Sequence, residues 1–296
     1  MSREYLLFLG CTVPVRNLNY ELSSRVVART LGMTFHDLED FQCCGFPMKG
    51  IDALDALVLA ARNLALAASR DLEVCVLCNA CAGTLTEAAH ALDHDDDLRA
   101  RVNERLAAVG LEYKRGVRAR HFIRILVEDV GYEAIRAQVK RPLTGWKFAP
   151  HYGCHYLKPT SVTGRFDDPA NPQTIKQLIE ITGAESLDYP GLTDCSGGGV
   201  LGMNEGLANA MAGGKLATLA QMGAHGLVLI CPFCNVMFEG QQKKIAKAGG
   251  LDLKLPILYY PQVLGLALGF APADLGFKLN RIKAKELIQA MEPSAA

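Results

Sequence analysis

Short, unbroken apolar runs alternate along this chain with longer stretches of helical period. Tyr5-Leu6-Leu7-Phe8-Leu9 reads as a buried strand, closed by Gly10 and Cys11. Residues 19–31 then repeat apolar positions at helical spacing, and Gly32 supplies a C-terminal cap. A short extended piece at 35–38 leads to a loop carrying Cys43 and Cys44, followed by an Ala/Leu-rich helix over 53–69. The apolar run 73–77 predicts a second strand, which delivers Cys78, and a helix begins near Ala82. Helical patterns continue through 98–109 and 120–130, until Pro142 and Gly145 interrupt them.

The plan then repeats. Trp146-Lys147-Phe148-Ala149 is a strand candidate, and Gly153-Cys154 echoes Gly10-Cys11. A helix is predicted over 172–183 and a short strand over 186–188, before Asp194-Cys195-Ser196 and the run Gly197-Gly198-Gly199. The helix 204–222 precedes the strand 227–230, which feeds Cys231-Pro232-Phe233-Cys234 and a helix through Lys247. Strand, cysteine, helix, cysteine loop, helix, strand and Cys-x2-Cys, met twice, predict an internal duplication. The expected fold is α/β, with two pseudo-symmetric halves of short parallel strands and helices, residues 1–142 and 143–296. Ligands of such sheets bind at the carboxyl ends of the strands, where every one of these cysteine motifs falls.

Half of the 296 residues are hydrophobic and 21% are charged, as in a globular protein with a sizeable core. Lys plus Arg and Asp plus Glu number 31 each, so no global field draws the chain to nucleic acid or an anionic membrane. The acidic run 93–97 reads as a solvated surface. No secretory pattern opens the sequence and no apolar stretch reaches the length of a span; the nearest, 263–271, is too short and follows Pro261. A cytoplasmic setting is therefore expected, and there ten cysteines serve more readily as metal ligands or redox groups than as structural disulfides.

The vicinal pair Cys43-Cys44 changes the picture most. Neighbouring cysteines diverge from the backbone and do not both reach one tetrahedral ion, whereas a polynuclear centre offers each a separate metal atom. With Cys11, Cys78 and Cys81 they make five thiols, ordered C-x31-CC-x33-C-x2-C, one more than a single zinc site uses. An iron–sulfur centre is the economical reading; structural zinc is the alternative, with at least one thiolate left over. Cys75 lies on the strand an odd number of residues from Cys78 and reads as a small buried hydrophobe.

This spacing resembles the CCG domain, the cysteine-rich module that occurs twice in the B subunit of heterodisulfide reductase. Phe8-Leu9-Gly10-Cys11, Leu77-Cys78-Asn79-Ala80-Cys81 and His151-Tyr152-Gly153-Cys154-His155 resemble the pattern of that family, and the likeness covers nearly the whole chain. The resemblance implies a noncubane [4Fe-4S] cluster held by Cys11, Cys43, Cys44, Cys78 and Cys81. It also implies thiol/disulfide or sulfane-sulfur redox chemistry in a complex with two partners, a ferredoxin-like subunit linked in turn to a flavin-containing one. The heterodisulfide reductase-like complexes of sulfur oxidisers, with a thiol or persulfide on a lipoyl-bearing protein as substrate, fall within the same expectation. Related domains in glycolate-oxidase and quinone-reductase complexes pass electrons only, which is the rival function.

The second half departs from the pattern, with the order C-x40-C-x35-C-x2-C and four thiols, Cys154, Cys195, Cys231 and Cys234. Four thiolates suit an ordinary cubane [4Fe-4S], one per iron. Spacing to Cys231 favours Cys195 as the second member of the pair, with Asp194 replacing the first; the other alignment lets Ser196 replace the second. His155 is the candidate proton relay beside a cluster, against the plain reading of a packing or capping histidine. His36 and His151 carry less weight, and His90, His94 and His225 read as surface or helix-end residues. The triple glycine lacks the partners of a phosphate loop and is explained by backbone lying close to the second centre. Lys243, Lys244 and Lys247 form a basic helix face read as solvated.

Overall fold

The computed structural model describes residues 3–292. Strands β1 (Arg3–Phe8), β2 (Met33–His36), β3 (Glu73–Val76) and β4 (Ala119–His121) form a parallel sheet of order β2-β1-β3-β4. Strands β5 (Lys147–His151), β6 (Glu185–Ser186), β7 (Gly226–Leu229) and β8 (Ile257–Tyr259) form a second parallel sheet of order β6-β5-β7-β8. The two topologies are the same, so the chain is α/β and duplicated.

Five helices set the cysteine loops in place, and a sixth joins the halves. In chain order they are α1 (Leu18–Thr30), α2 (Ala53–Ala68), α3 (Asn79–His94), α4 (Glu205–Gln221), α5 (Pro232–Phe238) and α6 (Tyr260–Ala267). Helices α2 and α4 start alike: Asp52 Oδ1 accepts from Asp55 N at 2.9 Å, and Asn204 Oδ1 accepts from Leu207 N at 2.9 Å. Cys78 and Cys231 are the extended residues just before α3 and α5, which places Cys81 and Cys234 in the first turn of each helix. Helix α3 therefore begins at Asn79, ahead of the start near Ala82 that the hydrophobic period predicts.

The halves interlock through one continuous core. Helix α1 of the first half packs on α6 of the second. Tyr20 stacks on Tyr259 with ring centroids 4.1 Å apart, and its hydroxyl donates to Ile230 O at 3.0 Å. Burying rings of this size contributes about 1.5–3 kcal/mol each, so the seam is a substantial part of the fold's stability.

Three other departures from the sequence reading have local causes. The segment 120–130 begins as the end of β4 and turns helical only at Phe122. The helix expected through Lys247 is two, Pro232–Phe238 and Gln242–Gly249, with a break at Gly240, where a Cβ would lie 2.3 Å from Val236 O. Of the apolar stretch 263–271, residues 263–267 belong to α6, which is wholly buried, so that part is core; Gly269 and Ala271 beyond it are exposed. Among the described residues no helix is long and apolar enough to cross a membrane.

Candidate functional site

Each of the four central strands ends beside a cysteine. Cys11 follows β1, Cys78 follows β3, Cys154 follows β5 and Cys231 follows β7, while the loops after β2 and β6 bring in Cys43, Cys44 and Cys195. Cys44, Cys78, Cys81, Cys231 and Cys234 are buried, Cys43 and Cys195 are half-buried, and Cys11 and Cys154 are exposed. Cys75 is also buried, but it lies in β3 between Leu7 and Arg120 of the neighbouring strands, as its parity predicts.

Of the nine remaining sulfurs, five form a run of thiol contacts, Cys44-Cys81-Cys78-Cys231-Cys234, and the other four form two pairs, Cys11 with Cys43 and Cys154 with Cys195. In the first half Cys11 meets Cys43, Cys44 meets Cys81, and Cys81 meets Cys78. In the second, Cys154 meets Cys195, and Cys234 meets Cys231. The two sets join where Cys78 Sγ lies 3.9 Å from Cys231 Sγ. Cys44 is lowered to about 7 by the thiol of Cys81, against burial, with help from the Phe46 N–H. Cys195 is lowered to about 6 by the thiol of Cys154, aided by Gly197 N at 3.4 Å. Burial opposes ionisation of Cys231, yet hydrogen bonds from Cys234, Cys78 and the Asn79 N–H outweigh it and hold the thiol well below its usual range. The donor thiols Cys81 and Cys154 are pushed up correspondingly by Cys44 and Cys195.

The same partnerships decide the alignment of the halves. Cys195 contacts Cys154 as Cys43 contacts Cys11, and Ser196 hydrogen-bonds Cys234 as Cys44 hydrogen-bonds Cys81. Gly45 has φ +89° and lies against the backbone of Ala56; Gly197 has φ +83° and lies against the backbone of Ala208. One constant shift in numbering carries Cys43-Cys44-Gly45 and Ala56 onto Cys195-Ser196-Gly197 and Ala208. Ser196, 3% exposed, thus stands in the place of Cys44, which corrects the alignment favoured by spacing. Asp194 is exposed, with its carboxylate folded back over Gly191.

That shift also pairs Asn63 with Lys215, two residues the cysteine pattern does not reveal. Asn63 clamps the first cysteine loop, accepting from Gln42 N at 2.9 Å and donating to Cys43 O at 3.1 Å. Lys215 Nζ instead lies 2.9 Å from Asp194 O, 3.4 Å from Leu192 O and 3.1 Å from His151 Nδ1. Burial draws Lys215 down to about 8, against the pull of Asp194, Cys234 and Cys195, and burial with the Lys215 charge keeps His151 neutral.

The seam between the two sets is aromatic and close-fitting. Phe46, next to Gly45, meets His155 edge-on at 5.0 Å and Phe233 at 5.9 Å. Asn79 Nδ2 donates to Tyr152 O at 2.7 Å across the seam. A Cβ at Gly10 would lie 2.9 Å from Cys81 Sγ, and one at Gly153 would lie 3.4 Å from Cys234 Sγ and 2.6 Å from Asn79 Nδ2. In the triple glycine, Gly197 N reaches Cys195 Sγ and Gly198 N reaches Ser196 Oγ, both at 3.4 Å. His36 pairs with Glu4 at 2.8 Å, His94 with His90 O at 2.7 Å and His225 with Lys147 N at 2.8 Å, all away from the thiols. Lys244 pairs with Glu205 at 2.6 Å, and Lys243 and Lys247 are exposed.

The donor set fits a sulfide-bridged, multi-iron group. Thiols are the ligands of such groups, and here the chief partners of the buried sulfurs are one another and backbone N–H groups. Glycine at the two close approaches leaves room beside the sulfurs. Among the described residues no three Cys, His, Asp or Glu side chains converge as a single-ion site.

Comparison with known proteins defines the class first. The family model of the cysteine-rich domain CCG matches residues 5–86 and 148–239. The B subunit of a ferredoxin/F420H2-dependent CoB-CoM heterodisulfide reductase from Methanosarcina acetivorans is 35% identical over 286 residues, 95% of each chain. A protein from Archaeoglobus profundus, described as like the heterodisulfide reductase B subunit, is 32% identical over 91% of this chain and 92% of its own. The membrane anchor subunit of an 8-methylmenaquinol:fumarate reductase from Wolinella succinogenes is 31% identical over 97% of this chain and all of its own. A crystal structure of a hypothetical protein from Helicobacter pylori shares the fold, with TM-score 0.75 and 19% identity over 96% of this chain and 52% of that one. The chain belongs to the family of heterodisulfide reductase B subunits, double-CCG iron–sulfur proteins of oxidoreductase complexes.

Proposed function

We propose that this chain is the component of a heterodisulfide reductase or heterodisulfide reductase-like complex at which a thiol/disulfide, or sulfane-sulfur, couple is interconverted. The observation that carries the reading is the placing of the first-half thiols at one set of strand ends, Cys11 against Cys43 and Cys44 against Cys81 and Cys78, with Cys78 3.9 Å from Cys231 of the second set. The first five would hold a noncubane [4Fe-4S] cluster. Cys154, Cys195, Cys231 and Cys234 would hold a cubane, the Ser196 hydroxyl standing where a fifth thiol would be. Such clusters supply single-electron storage next to a metal that binds sulfur, which lets a two-electron bond cleavage proceed in steps.

The chain's own residues bind, shield and position. Exposed Cys11 and half-buried Cys43 mark the side from which a sulfur substrate reaches the first set, while Phe46 and Phe233 keep water from the seam. In the reducing direction one S–S bond breaks, two electrons enter from partner subunits, and two protons complete the two thiols. His155, packed on Phe46, is the residue placed to pass a proton at the seam. The electron donor or acceptor is a ferredoxin-like subunit, linked to a flavin-containing one. A lipoyl-bearing carrier protein is the substrate form we favour for a sulfur-oxidising complex, in the cytoplasm.

A second reading, electron transfer without sulfur chemistry, draws on the 31% identity to the subunit of the quinol-linked Wolinella enzyme. The complex, purified anaerobically, separates the two. Viologen-driven cleavage of a disulfide such as oxidised lipoamide, lost in Cys44→Ala, supports the first. Reduction of a quinone with no disulfide turnover supports the second.

A further inference from the structure

The halves differ at one buried position that none of the cysteines explains. Where the first half has Asn63, the second has Lys215, only 6% exposed. Its ammonium has three N–H donors and faces three acceptors, Asp194 O, Leu192 O and His151 Nδ1, none of them anionic. Tyr189 and Phe238 flank the cation at 5.7 and 5.9 Å from their ring centroids. With the His151 tautomer that leaves Nδ1 as acceptor, the three ammonium protons have three neutral acceptors, so the site has room for the charged lysine. Its charge is balanced only through space, by the carboxylate of exposed Asp194 and the sulfurs of Cys234 and Cys195. A buried cation so arranged costs stability unless an anion is bound nearby. His151, which completes the set, stands where the first half has Phe8, so the second half has gained a matched pair.

We propose that Lys215 is a positioning residue whose charge raises the reduction potential of the second iron–sulfur centre, so that electrons shared between the halves settle there. This rests on reading Cys154, Cys195, Cys231 and Cys234 as cluster ligands. Two substitutions act in the same direction: Ser196 removes one thiolate relative to Cys44, and Lys215 adds one positive charge relative to Asn63. Reduction adds negative charge, so both favour the reduced state of the second centre over the first. The result is a one-way gradient: sulfur chemistry at the thiolate-rich first half, electron storage beside the lysine.

The test is an EPR-monitored redox titration of the anaerobically prepared, iron-loaded chain. Lys215→Asn, which restores the first half's residue, and the neutral but longer Lys215→Gln should each lower the midpoint of the second-half signal. The expected shift is at least about tenfold in the reduced-to-oxidised ratio at fixed potential, roughly 59 mV for one electron. Lys215→Arg should retain the wild-type midpoint, and the first-half signal should not move in any variant. Unchanged midpoints in the neutral variants at full iron content overturn the proposal, as does an equal shift in Lys215→Arg. If both neutral variants lose second-half iron while Lys215→Arg keeps it, the same need for charge is seen in stronger form; loss in all three overturns it. A wild-type chain that binds no iron through the second four cysteines removes the underlying reading instead, and is recognised before any variant is made.

Discussion

The first half holds its cysteine loop with a neutral amide and five thiols; the second holds the matching loop with a buried cation and four. Backbone and topology are otherwise shared, down to the left-handed glycine behind each loop and the polar cap of the helix that supports it. Duplication fixed the frame, and divergence then acted on charge and thiol number, which can change without disturbing the sheet. On the proposed reading, like halves would thereby hold unlike centres. The seam matters as much as the halves, because Cys78 and Cys231 bring the two sets of sulfurs into contact.

The comparison breaks most sharply at Cys44. Cys44→Ala should cost the first half its cluster while sparing the second, so bound iron should fall from about eight atoms per chain to about four. Iron and sulfide analysis measures this directly, and equal loss from both halves would mean that the sets are not independent. The reciprocal change, Ser196→Cys, should convert the second-half EPR signal toward the type of the first.

The loop glycines give the next largest effect. Both have positive φ, but a Cβ would lie 2.4 Å from Ala56 O at Gly45 and 2.9 Å from Ala208 O at Gly197. Gly45→Ala should therefore destabilise by about 2–4 kcal/mol and Gly197→Ala by about 1–3 kcal/mol, measured by denaturant unfolding under anaerobic conditions. A reversed order would mean that the second loop is the less yielding.

A smaller contrast lies at the outer strands. Arg120 in β4 is bound by Glu73, Glu128 and Asp129, whereas the matching residue of β8 is buried Leu258. Replacing Arg120 by Leu should cost about 1–3 kcal/mol, since it leaves partly buried carboxylates without their cation. Burial alone would raise the Asp129 carboxyl, but hydrogen bonds from Arg120 and Tyr5 outweigh it and hold it below its usual range. A depressed carboxyl stabilises above its ordinary pKa and loses that contribution as pH falls through the folded value. Below about pH 4, then, protection of the amides against exchange, relative to their intrinsic rates at the same pH, should fall in β4 before β8.

Much of this was legible in the sequence, because cysteine order and apolar period are local signals. The duplication, the strand ends at Cys11, Cys78, Cys154 and Cys231 and the core place of Cys75 all follow from them. Strands β4 and β8 escape because three residues are too few to set a period, and α6 because a wholly buried helix has no polar face to mark it. The place of Ser196 was available in the glycine that follows it, as Gly45 follows Cys44, but cysteine spacing alone pointed to Asp194. Lys215 and His151 could not be read from motif spacing. Their meaning lies in packing against a matching site in the other half.

Anomalous diffraction at the iron edge from anaerobically grown crystals tests the central claim most directly. It should reveal two separate groups of iron, one among Cys11, Cys43, Cys44, Cys78 and Cys81 and one among Cys154, Cys195, Cys231 and Cys234. A zinc edge at either place, or density for thiols joined only to one another in fully loaded protein, would contradict it.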